Sequence, residues 1–380
     1  MLRTAFLGLV LLVAGVSTNA QEKEKPQEKP IQSSLDPKER LAPDIKAEAL
    51  WDGRKMVPFR ALDMPGMVKA KDADFVDDSE YVLGVTLNGE SRAYPTRFVW
   101  WHHVVNDKIG EGDKAFPFVV TYCSVCNTGI GFDARLKDKP LLFDFYGLYN
   151  GVAIMVDRDT ESVWLPVSAK AVKGERLGEK LKTIPVLDTT WGEWKKLHPE
   201  TLVMSPDNTF RKFYRDKTKQ EPRGYDSFPA PFFKPSVTRE DPRLPQFEKV
   251  LGVAFETKTE MLRRAYPVAV LKEANGVISD TIDKTPVVVF LEQKSTTANA
   301  FEAKSDTQIL TFESRKNTDG VTEFMDKETQ SVWNVEGVAV DGKLKGKSLK
   351  RLENHLSQWY GWAAYFPETT IFEKRVENKK

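Results

Sequence analysis

Residues 157–164 read DRDTESVW, and residues 326–333 read DKETQSVW. Five of the eight positions are identical, and the other three exchange like for like. The offset is 169 residues, and it extends beyond this octapeptide. At the same offset Pro117-Phe118-Val119-Val120 faces Pro286-Val287-Val288-Val289, and Phe132-Asp133-Ala134 faces Phe301-Glu302-Ala303. Upstream, Val82-Leu83-Gly84-Val85 matches Val250-Leu251-Gly252-Val253, and Arg92-Ala93-Tyr94-Pro95 matches Arg264-Ala265-Tyr266-Pro267. Downstream, Trp191-x-x-Trp194 and Pro199-Glu200-Thr201 match Trp359-x-x-Trp362 and Pro367-Glu368-Thr369. Ordered agreement over this many blocks reads as one module written twice.

Each copy carries strand-and-turn grammar. Short β-branched and aromatic runs (Tyr81–Leu87, Phe118–Tyr122, Leu141–Tyr146, Val152–Val156, Ser162–Leu165) are bounded by Gly, Asn, Asp and Pro. Asp157-Arg158-Asp159-Thr160 predicts a turn in which Asp157 and Thr160 bond to nearby backbone. Helical spacing is confined to Thr96–Val105 and Thr190–Leu197, the latter with Thr189 or Thr190 as N-cap and Glu193 closing a capping box. The expected fold is α+β and β-rich, with two pseudo-equivalent halves packed together.

The ends of the chain frame those halves. Residues 1–20 read as a secretory signal: Arg3, an apolar run from Ala5 to Val16, then the small-residue site Thr18-Asn19-Ala20. Residues 21–45 are rich in Glu, Lys, Gln and Pro and predict a flexible leader, because they hold too little apolar surface to offset ordering. The first repeat then covers 46–205, a Pro- and aromatic-rich connector covers 206–246, and the second, degenerate repeat covers 247–375. The aromatics of the connector predict that it wraps the halves. No later stretch is apolar enough to span a bilayer, so an exported protein is expected, in the periplasm or outside the cell. With 56 basic against 55 acidic residues and no basic block after the leader, nucleic acid is excluded as the expected partner.

The chain has two cysteines, three positions apart. A disulfide framework would need more, spread along the sequence. A bridge across so small a loop contributes little to global stability. Cys123 and Cys126 therefore call for a local role, and the comparison of copies agrees. Copy one reads TYCSVCNT at 121–128 where copy two reads FLEQKSTT, so Cys123 faces Glu292 and Cys126 faces Ser295. Trp100-Trp101-His102-His103 faces the region of Lys272-Glu273-Ala274-Asn275. The scaffold blocks are shared, while the thiols and imidazoles belong to copy one alone.

Positions i and i+3 on a strand face opposite ways, so two cooperating cysteines belong in a turn at the strand's end, where Asn127-Thr128-Gly129 fits. A thioredoxin-like site needs a helix beginning at the first cysteine, and Asn127, Gly129, Ile130 and Gly131 are poor helix formers. Two thiolates and an imidazole make a soft metal site for copper or zinc. The candidate metal ligands are Cys123, Cys126, His102 and His103, and only one of two adjacent histidines on a helix can face the thiols. A redox-active dithiol and a purely structural pair stand beside this reading. His198 precedes a proline where copy two has Phe366, and is assigned to packing. Asp133, matched by Glu302, is placed either at a turn or at the cysteine loop. Met64 and Met67 are expected to pack.

The order Arg92–Pro95, Trp101–Asp107, Val120–Gly129 and Asp157–Trp164 resembles the domain-of-unknown-function family 3179 of exported bacterial and archaeal proteins, over about residues 50–375. In that family a proline commonly follows the first cysteine, where this chain has Ser124, and a Glu commonly follows the histidine, where it has His103. The resemblance therefore implies His102 as the ligand ahead of His103. It implies no reaction. The expectations are a soft-metal protein, a thiol/disulfide oxidoreductase, or a module that binds a small molecule, peptide, glycan or protein in the groove between halves.

Overall fold

Asp157 shows why the matched octapeptides keep their ends. In the computed structural model, which describes residues 36–216, 225–257, 259–317 and 322–373, its fully buried carboxylate accepts the Thr160 amide at 2.8 Å and the Trp164 indole N–H at 2.8 Å. Asp326 does the same for Thr329 at 2.6 Å and Trp333 at 2.9 Å. One side chain thus closes the turn and orients the ring that fills the core beneath it.

Among the described residues the first stretch has three five-stranded sheets and a two-stranded pair, Arg135–Leu136 with Lys139–Pro140. The strands Tyr81–Leu87 and Glu90–Pro95 form a hairpin flanked by Leu187–Thr190 and Leu202–Met204, with Met67–Lys69 outermost. Phe116–Cys123 lies between Val104–Ile109 and Thr128–Asp133, with Leu62–Asp63 and Thr183–Ile184 at the edges. Phe143–Tyr149, Val152–Asp157, Val163–Leu165 and Lys170–Lys173 pair in sequence order, with Trp51–Asp52 at one edge. The second stretch has sheets centred on Lys249–Glu256 with Met261–Pro267, on Thr285–Glu292, and on Thr322–Asp326. The matched blocks make matched bonds. Arg92 and Tyr94 reach Asp107 at 2.7 and 2.6 Å, as Arg264 and Tyr266 reach Asp280 at 2.5 and 2.7 Å. The Trp194 indole donates to Thr201 and the Trp362 indole to Thr369, both at 2.9 Å. Each of these tryptophans lies over a strand glycine, Gly84 or Gly252, where an added Cβ would come within 2.2 Å of the ring.

The helices are short: α1 Thr96–His102, α2 Trp191–Leu197, α3 Val268–Glu273 and α4 Trp359–Ala363. The expected helix Thr96–Val105 ends three residues early. His103 turns left-handed at φ 57°, and Val104 and Val105 pair with Thr121 and Val120 instead of extending the helix. Thr190 caps α2, accepting the Glu193 amide at 3.4 Å.

One core cluster joins both stretches: Cys123, Cys126, Val152 and Trp164 pack with Val250, Trp359, Tyr360 and Trp362. The connector contributes Tyr225, Phe228 and Phe233 to it, and residues 217–224 of the connector lie outside the described residues. The signal, and the leader as far as residue 35, also lie outside them. From Pro37 the expected leader is held in place: Pro37–Glu39 is a 3-10 turn, Leu41 bridges Lys173, and Ala42 and Ile45 pack on the Tyr146 and Ile154 cluster. Among the described residues no helix is long and apolar enough to cross a membrane.

The Asp157 network sets a testable cost. Asp157→Ala strands the buried Trp164 indole and takes the acceptor from the half-buried Thr160 amide and hydroxyl, and should lower unfolding free energy by about 3 kcal/mol in a urea titration.

Candidate functional site

Cys123 is the last residue of the strand Phe116–Cys123, and the chain turns through Ser124–Asn127 before Thr128 pairs back to Cys123. Asn127 takes the left-handed conformation the turn requires, at φ 51°, and its side-chain carbonyl accepts the Tyr122 hydroxyl at 3.3 Å. Both thiols thus sit in a hairpin turn, with no helix following Cys123. Neither is in a disulfide, and both are buried.

The two sulfurs are not equivalent. The Cys126 thiol beside it draws Cys123 down to about 7 against the effect of burial, and the backbone amides of Cys126, Ala153 and Val125 add to the pull. Burial and then the neighbouring Cys123 sulfur push Cys126 well above the ordinary thiol range. One thiolate is held by four donors, while its partner keeps its proton. Cys123 also retains 4% exposure, and Cys126 has none.

The lid over this turn comes from the other matched stretch. Gln358 N–H donates to the Cys126 carbonyl at 2.8 Å, and Thr128 Oγ1 meets Ser357 Oγ at 3.0 Å. Gly361 faces Cys126 so closely that a Cβ there would stand 3.2 Å from the cysteine's own. Tyr360 and Tyr365 are held protonated well above the usual phenol range, by burial first and then by the cysteines. These residues in and beside α4 were not among the sequence candidates. A signal was available: Gly361 replaces Glu193 inside the Trp-x-x-Trp match, and glycine is a poor choice within a helix unless something must approach it.

The histidines divide in the order opposite to that implied by the resemblance. His102 Nδ1 is 2.7 Å from the Arg60 carbonyl, so it donates, and its Nε2 then accepts the Tyr214 hydroxyl at 2.8 Å. Both nitrogens are committed to the Arg60 and Tyr214 side of α1. His103 instead donates Nδ1–H to the Tyr122 carbonyl at 2.9 Å and stacks on Phe145 at 4.9 Å. Its Nε2 keeps a lone pair, and the ring lines a cavity of about 10 Å³ together with Cys123 and Thr128. Burial lowers both imidazoles to about 4, so both are neutral at pH 7. Asp133 pairs with Arg135 at 2.7 Å, Met64 is exposed, and Met67 packs on the Leu62 and Met204 cluster.

Among the described residues, no three His, Cys, Asp or Glu side chains converge in a way that could hold a metal ion. The donor set is two thiols with one imidazole at the same cavity. The two thiols match the pair of soft ligands that copper(I) accepts and fall short of the four that a structural zinc site takes.

The site is a buried, asymmetric dithiol in a hairpin turn, capped from a second set of sheets. Residues 57–369 match the family described as Protein of unknown function (DUF3179), and the chain belongs to that family. No curated protein matches the chain, and no solved structure does.

The geometry predicts the reactivity of the pair. Labelling of Cys123 by a small methanethiosulfonate should rise with pH about a midpoint near 7, because only the thiolate attacks. Cys126→Ala removes the donor, so the midpoint should move upward toward the ordinary thiol value.

Proposed function

We propose that this chain is an exported thiol/disulfide protein in which Cys123 attacks and Cys126 resolves. The observation that carries the reading is the asymmetry of the pair: a Cys123 sulfur lowered by the Cys126 thiol and three backbone amides, beside a Cys126 whose own proton is held by burial. The first twenty residues support export, and the compartment outside the cytoplasm is where disulfides persist.

The Cys123 thiolate attacks one sulfur of a substrate disulfide, forming a mixed disulfide and releasing the other sulfur as a thiolate. Cys126 gives its proton to that leaving thiolate and attacks Cys123 Sγ. The mixed disulfide breaks, Cys123 and Cys126 are joined, and the substrate leaves reduced by two electrons. A thiol donor in the same compartment returns the pair to the dithiol.

Titration against glutathione redox buffers tests this. A single reversible two-electron transition, lost in Cys123→Ser and in Cys126→Ser, is expected. A pair that stays reduced across the whole range of buffers refutes it.

The second reading keeps a soft metal, and His103 at the Cys123 cavity is the observation that favours it. Copper(I) accepts as few as two soft ligands, which Cys123 and Cys126 would supply, with His103 beside them and His102 outside the set. Elemental analysis of the purified parent beside Cys123→Ser/Cys126→Ser separates the readings: copper at one equivalent in the parent and none in the variant supports the metal, and equal trace amounts exclude it.

A further inference from the structure

The interface between the two matched stretches holds a second chemical arrangement, made of Ser91, His198 and Glu336. Ser91 Oγ lies 3.1 Å from His198 Nδ1, and His198 Nε2 lies 3.1 Å from Glu336 Oε1 and 3.0 Å from Oε2. Ser91 Oγ is also 2.9 Å from Thr86 Oγ1. In the tautomer with its hydrogen on Nε2, the ring links the acid to the hydroxyl. The carboxylate accepts from Nε2, Nδ1 offers its lone pair, and Ser91 donates to it. Thr86 then donates to Ser91. Every hydrogen bond in the chain runs from hydroxyl to imidazole to acid, which is the order that activates a serine.

Local structure fixes each member. Ser91 lies on the strand Glu90–Pro95, paired directly with Thr86. His198 ends α2, bonded through its amide to the Trp194 carbonyl at 2.8 Å, and its ring rests on Trp194 at 4.0 Å. Pro199 follows it and bars a further helical turn. Glu336 sits on a turn whose amides at Glu336 and Val338 both reach Asn334 Oδ1 at 3.0 Å. Thr86, His198, Glu336 and Arg351 line one cavity of about 280 Å³, walled by Val186, Leu187 and Trp194. Arg351 has no carboxylate within ion-pair distance among the described residues, and its Nε and Nη2 are spent on Asn299, Val186 and Asn354.

The scaffold does not need this arrangement. The positions related to these by the repeat are Arg263 and Phe366 in the second stretch and Val167 in the first, where the guanidinium lies 4.1 Å over the Phe366 ring. The three polar groups therefore occur at one join only, as the cysteines do.

We infer that Ser91, His198 and Glu336 form an acyl-transfer site that hydrolyses esters of short apolar acids, separate from the dithiol. Ser91 Oγ attacks the ester carbonyl while its proton passes to His198 Nδ1. The alcohol leaves with that proton, and the acyl group stays on Ser91. Water, deprotonated by His198, then releases the acid and restores the serine. Glu336 is a positioning residue that fixes the ring, and Arg351 supplies the positive charge of the cavity for the developing oxyanion.

The test uses the parent protein, a biotinylated fluorophosphonate, and p-nitrophenyl butyrate. Expected are a probe adduct on the peptide that contains Ser91, and ester hydrolysis lowered about 100-fold or more in Ser91→Ala and in His198→Gln. Glu336→Gln should lower kcat at unchanged KM. Cys123→Ser/Cys126→Ser should hydrolyse at the parental rate, which separates this site from attack by a thiol. Folded parent protein that leaves Ser91 unlabelled overturns the inference, and so does Ser91→Ala protein that turns over the ester as the parent does.

Discussion

The bond from Gln358 N–H to the Cys126 carbonyl is the constraint on which the molecule is organised. A turn at the end of a strand leaves backbone groups unpaired, and buried groups of that kind must find partners. Here the start of α4, from the distant second stretch, satisfies them. The reverse contact is also made: the turn after Glu292 meets the start of α2 through Thr297 Oγ1 and Thr189 Oγ1 at 2.7 Å. Each stretch finishes what the other leaves open, and the hydrophobic cluster that contains both cysteines is continuous across the join.

That mutual cap decides the chemistry of the turn. The lid excludes water from both sulfurs, which raises the cost of charge, while donors from within the turn and from Ala153 gather on Cys123 alone. Burial then acts with opposite results on the two thiols: one has enough donors to offset it and the other does not. Gly361 permits the closeness, since any side chain there would press on Cys126. At Ser91, His198 and Glu336 the same join brings a histidine from one stretch against a carboxylate from the other. Each arrangement stands at one join only, the dithiol where the first turn meets α4 and the serine where α2 meets the second stretch, and the equivalent join lacks its reactive groups.

The parts of this that could be read in the sequence were those governed by neighbours along the chain. Asp157 and Thr160 were legible because the turn they make is four residues long. Thr190 was legible as a cap because its partner is Glu193. The cysteine turn was legible because period-two alternation forbids two cooperating residues at i and i+3 within a strand. The histidines were not. Helix geometry says that His102 and His103 diverge, and it cannot say which way the helix is rotated. The left-handed turn at His103 and the carbonyls of Arg60 and Tyr122 settle that, and none of them is visible in a spacing. His198 looked like packing because its partner Glu336 is 138 residues away.

The sequence by itself determined the doubled blocks, the β-rich class, the family, and the confinement of thiols to one strand-end turn, because each rests on local pattern or on the chain's likeness to itself. The tertiary structure alone decided that α4 covers the turn, that Cys123 rather than Cys126 bears the lowered pKa, and that His103 rather than His102 shares its cavity. The physical reason is the same in each case. Donors, burial and ring orientation are set by residues brought together across the join between the stretches, and a distance across that join has no counterpart in a distance along the chain.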